Sequence, residues 1–135
     1  MSIEVLVEAQ VTNPEATEMN GRVLNNALLD GLYSRLGNQD LAAEAALIRP
    51  ELLERLSTSL DFSGLGELSP LQSKVYEALT KPNNYNQTVG GIAQSLGIRE
   101  ANFTRLRGKI YKHLGVRGRG QAVAFRLASE ARDNN

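Results

Sequence analysis

The chain has 135 residues, no cysteine and a single histidine, with 41% apolar and 22% charged residues, a composition that argues for a folded core over wholesale disorder. The missing thiols exclude disulfide frameworks, cysteine nucleophiles and cysteine-based zinc sites, which suits a cytoplasmic protein, and the acid-interrupted N-terminus has the pattern of neither a signal peptide nor a membrane span. Zero net charge conceals two poles: residues 1–70 hold four Lys/Arg against eleven Asp/Glu, and residues 71–135 hold eleven against four.

Residues 3–11 alternate Ile3, Val5, Val7, Ala9 and Val11 with Glu4, Leu6, Glu8 and Gln10, the period of a half-buried strand. A solitary strand leaves its backbone groups unpaired, so this one either pairs with its copy in a second subunit or is helical instead. After Thr12-Asn13-Pro14, residues 18–36 carry Val23, Ala27, Leu28, Leu32 and Leu36 near helical spacing, and Gly37-Asn38 closes the segment. The Ala-rich stretch 39–48 is helix-prone. Pro50 at a first turn, followed by Leu52, Leu53, Leu56 and Leu60, predicts a third helix whose leucines serve core or dimer packing.

Residues 61–68 contain two glycines and a serine and read as a linker. The resulting division is an acidic helical region at 1–62 for dimerisation or partner binding, a linker at 63–67, and a second domain at 68–132. Either half, at about 65 residues, would be marginal alone, which favours a homodimer. The opposite poles also predict that the acidic half docks on the basic one.

Ser69, with Pro70 at the first helical position and Gln72 three residues on, predicts a capping box opening a helix that buries Leu71, Val75, Ala78 and Leu79. Pro82 prevents its continuation into the polar run 81–87, read as a solvated loop. Thr88 caps the next helix, on which Val89, Ile92, Ala93 and Leu96 form one stripe. Gly97 then permits a left-handed corner, with Ile98 tucked beneath it.

The helix expected over 99–114 buries Phe103, Leu106, Ile110 and Leu114. Opposite fall Ala101, Arg105, Gly108 and Lys112, flanked by Thr104 and Lys109, so small residues alternate with cations on the outer face. This pattern suits the major groove of duplex DNA. Arg105 offers a bidentate fork to guanine, Asn102 and Thr104 suit base edges or phosphates, and Lys109 and Lys112 suit phosphates. A mid-helix Gly108 costs about 1 kcal/mol relative to alanine, and its missing side chain would let the backbone approach DNA closely. Arg117 and Arg119, on the Gly-rich corner before a last helix, read as phosphate clamps, and Arg99 at the turn completes the candidate DNA-binding set.

Three motifs carry a family resemblance: Leu68-Ser69-Pro70, Ile92-Ala93-Gln94-Ser95-Leu96-Gly97-Ile98, and the run from Lys112 to Val123, Lys-His-Leu-Gly-Val-Arg-Gly-Arg-Gly-Gln-Ala-Val. Residues 68–128 with these motifs resemble the LuxR/NarL (GerE-type) DNA-binding domain. The resemblance implies a mainly α fold with a C-terminal four-helix, LuxR-type helix-turn-helix domain, here behind a small helical region with one short strand. It also implies double-stranded DNA binding as a dimer and regulation of transcription. The pattern departs from the family at Arg99, Thr104 and Leu106, so the base preference does not carry over.

The competing class is a protein-docking regulator, an antirepressor or a factor that contacts RNA polymerase or another transcription factor, as region four of sigma factors contacts polymerase. An enzyme is disfavoured because His113 has no nucleophile or carboxylate partner in a motif, and it reads as packing or a phosphate contact. Metal-ligand spacing and cofactor loops are absent from the pattern, Gly118-Arg119-Gly120 being a turn.

Overall fold

A computed structural model describes residues 20–36 and 40–134, and within them the chain is mainly helical with no strand. The strand expected at 3–11 lies outside the described residues. α1 (Asn20–Leu36) buries Leu28, Leu29 and Leu32 and leaves Val23 37% exposed. α2 (Leu41–Leu47) begins at Asp40, whose carboxylate accepts the Ala43 N–H at 2.8 Å. α3 (Pro50–Ser59) has proline in its first turn, as expected, and buries Leu56, with Leu60 buried just beyond its end.

The expected linker is not a free spacer. Ser63–Glu67 forms a 3₁₀ helix, Leu65 and Leu68 pack against the core, and Phe62 is buried with its ring centroid 5.0 Å from that of Phe125. The Arg132 guanidinium covers the Phe62 ring at 4.6 Å. Glycine and serine composition suggested slack, but three apolar anchors within seven residues supply enough burial to hold the segment down. Both halves therefore share one hydrophobic core among the described residues, with Leu28, Leu29 and Leu56 from one side meeting Leu79, Phe103 and Phe125 from the other.

α4 (Pro70–Thr80) opens with the expected capping box: Gln72 N–H donates to Ser69 Oγ at 3.1 Å, and Ser69 N–H donates to Gln72 Oε1 at 2.9 Å. Val75, Ala78 and Leu79 are buried, whereas Leu71, expected among them, is 47% exposed in the first turn. A short 3₁₀ turn at Pro82–Asn84 leads to α5 (Val89–Ser95), α6 (Glu100–Leu114) and α7 (Arg119–Asp133). α7 is the central element: α3 lies along it, α4 packs on both α6 and α7, α2 covers another part, and α1 reaches α6 and α7 together. No described helix is long and apolar enough to cross a membrane.

Candidate nucleic-acid interface

The corner between α5 and α6 forms as its residues dictate. The Gly91 N–H donates to Thr88 Oγ1 at 3.0 Å, and Ile92 and Ala93 anchor α5 in the core. Gly97 takes φ +69°, and Ile98 N–H returns to the Ala93 carbonyl at 3.0 Å, with Ile98 packed against the core. Arg99 precedes α6, so that helix begins one residue later than expected. α6 buries Phe103, Ile110 and Leu114, and Leu106 is half-buried.

The opposite face is open. Asn102, Thr104, Arg105, Gly108, Lys109 and Lys112 are all exposed, together with Ala101 and Arg99. Among the described residues, Arg105, Lys109 and Lys112 enter no ion pair, whereas His113, Arg117, Arg126 and Arg132 each do. The described part of the acidic half therefore docks beside this row, touching the C-terminal corner of α6 at His113 and Arg117.

That corner is held by α1. Gly115 ends α6 at φ +81°, and a Cβ there would lie 2.8 Å from the Arg22 Cα and carbonyl oxygen, so glycine is required both for the turn and for the approach of α1. Asn25, only 2% exposed, donates from Nδ2 to the carbonyls of Leu114 at 2.7 Å and Asp61 at 2.9 Å, while its Oδ1 accepts the Asp61 N–H at 2.9 Å. One side chain thus fastens α1, the chain leaving α3 and the end of α6. Beside it His113 is half-buried, with Nδ1 3.2 Å from an Arg22 terminal nitrogen and Nε2 2.9 Å from Glu67 Oε2, the latter not aligned as a hydrogen bond. Arg22, Asn25, Glu67 and His113 line a polar cleft of about 110 Å³ on the side facing α1.

The two arginines read as phosphate clamps differ. Arg117 is 66% exposed in its side chain and meets Asp30 through Nε at 3.2 Å. Arg119 is turned inward: Nε donates to the Leu79 carbonyl at 2.9 Å, and its terminal nitrogens donate to the carbonyls of Gln87 at 2.6 Å and Asn84 at 2.5 Å. Burial lowers its pKa from the usual arginine value. Its guanidinium clasps the loop 81–87 to the start of α7, aided by Asn84 Nδ2 donating to the Ala78 carbonyl at 2.8 Å. Sequence position alone could not separate the two, because both stand on the same Gly-rich corner. The Arg119→Ala variant is expected to lose about 2 kcal/mol of unfolding free energy, since three carbonyls lose a charged donor; a thermal or urea melt checks it.

Gly108 meets nothing within 4 Å of where a Cβ would stand, so no packing within the chain requires a glycine there. Gly108→Ala is accordingly expected to raise unfolding free energy by about 0.5–1 kcal/mol in a urea titration.

The described part of the chain is thus a mainly helical protein that presents one cation-rich helix face beside a tight corner. No protein-family model matches the sequence, and no match is found among curated proteins or solved structures.

Proposed function

We propose that the chain is a sequence-specific, double-stranded DNA-binding transcriptional regulator of LuxR type, acting as a homodimer with α6 in the major groove. The observation that carries this reading is the outward row on α6, without an ion-pair partner among the described residues: cations and small polar residues are exposed while the opposite face of the helix is anchored in the core. A surface without a partner normally mixes signs, whereas residues 89–126 hold eight Lys/Arg and one acid, Glu100. A helix fixed by Phe103, Ile110 and Leu114 does not have to be ordered on binding, so less affinity is lost to entropy.

In this reading Arg105 addresses guanine through its fork, Asn102 and Thr104 reach base edges or phosphates, and Lys109, Lys112, Arg99 and Arg117 neutralise phosphates. Gly108 admits the helix backbone close to the duplex, so Gly108→Ala should weaken DNA binding even as it stabilises the fold. Arg119 leaves the contact set and braces the loop ahead of α5.

Selection of bound sites from random duplexes tests the proposal. Two related half-sites about 10 base pairs apart, centre to centre, or a multiple of that, are expected for a dimer placing α6 in successive grooves. Recovery of no enriched motif, together with retention of RNA polymerase by the immobilised chain, would favour the protein-docking reading instead.

A further inference from the structure

We infer that Asp30, on α1, is a positioning residue that aims Arg117 at the DNA backbone, an inference that rests on the DNA-binding reading above. Three residues close a ring. Asp30 Oδ2 meets Arg117 Nε at 3.2 Å, Asp30 Oδ1 accepts from Gln121 Nε2 at 2.7 Å, and Gln121 Oε1 accepts the backbone N–H of Arg117 itself at 2.9 Å. Arg117 is therefore engaged twice, by a hydrogen bond from its main chain and by an ion pair at the inner edge of its guanidinium. Gln121 is 8% exposed, which fixes the ring to the core side of α7.

The grip is on Nε. No hydrogen bond from the terminal nitrogens of Arg117 occurs among the described residues, and the side chain is 66% exposed. A carboxylate drawn to the Nε edge leaves the outer, parallel pair of donors without a hydrogen bond, the arrangement that engages two oxygens of one phosphate. An arginine released from such a grip would have to give up side-chain rotamer freedom on binding. The chemistry recognised at this point is a phosphodiester at the end of α6. The acidic half thus contributes to DNA binding through a carboxylate, although a carboxylate near DNA would by itself repel phosphates.

That opposition of sign makes the test sharp. Affinity for a mixed-sequence duplex of about 30 base pairs is measured at several salt concentrations for the full-length chain, Asp30→Ala, Arg117→Ala and the double variant. Asp30→Ala is expected to bind about fivefold more weakly despite losing a negative charge, the size of one lost oriented hydrogen bond. Its salt slope should become shallower towards that of Arg117→Ala, which should be shallower than the parent by about 1 per subunit. In the Arg117→Ala background, removing Asp30 should no longer weaken binding, so the two effects are coupled. Asp30→Asn, which keeps an acceptor for Gln121, should fall between Asp30→Ala and the parent, and it serves if the alanine variant melts too low to assay.

Equal or tighter duplex binding by both Asp30 variants would overturn the inference while leaving the DNA-binding reading intact. Loss of affinity with an unchanged salt slope and no coupling to Arg117 would assign Asp30 a purely structural role. A parent chain that binds no duplex at any salt concentration would overturn both.

Discussion

Replacing Asn25 with alanine is expected to lower the free energy of unfolding by about 3 kcal/mol, a large share of the stability of a chain this size. Asn25 is 2% exposed and makes three hydrogen bonds, two from Nδ2 and one to Oδ1. Alanine would leave the carbonyls of Leu114 and Asp61 and the Asp61 N–H without their side-chain partner. Asn25→Asp, close to isosteric, should cost at least as much, because it sets a carboxylate against two carbonyl oxygens. Urea titrations of the three proteins check this. A loss below about 1 kcal/mol for Asn25→Ala would mean that water replaces the side chain and that α1 is not fastened to α6 in the way described.

Arg105→Ala is expected to reduce affinity for the selected site by about ten- to hundredfold, the range for a bidentate contact to one base, and to relax preference at that position. Lys112→Ala should instead weaken all duplexes about equally. Both side chains are exposed and neither helps to hold the fold, so both variants should melt close to the parent. Competition binding with the selected duplex and a scrambled one separates the two effects. Equal losses on both duplexes for Arg105→Ala would place Arg105 on the backbone rather than on a base.

Where the sequence carries local instructions, the elements follow it. Ser69-Pro70-Leu71-Gln72 specifies its capping box, Thr88 its cap and Gly97 its left-handed corner, because each depends on residues within a single turn. The outward row on α6 is equally legible, since helical period alone sorts Phe103, Ile110 and Leu114 from Arg105, Gly108 and Lys112. What escaped is tertiary. Arg117 and Arg119 are alike in composition and setting, yet one faces solvent and the other clasps carbonyls of Leu79 at the end of α4 and of Asn84 and Gln87 in the loop after it.

Asn25 did leave a sign. Asn25, Leu28, Leu29 and Leu32 stand at i, i+3, i+4 and i+7, so a polar residue occupies the apolar stripe of α1, and a polar group in that place must find buried partners. Asp30 and Gln121 left none, because a pair 91 residues apart is brought together only by the docking of α1 on the start of α7. The linker at 63–67 shows the converse: its composition suggested slack, and the burial of Phe62 with the packing of Leu65 and Leu68 removed it.

The central claim is that the α6 row meets phosphates and base edges of duplex DNA. Titration of the full-length chain with the same duplex at two salt concentrations tests it most directly. A steep loss of affinity is expected, with a log–log slope of about −6 or steeper for a dimer whose Arg99, Lys109, Lys112 and Arg117 displace counterions from both half-sites. Duplex binding that is absent at both concentrations, or indifferent to salt, would contradict it.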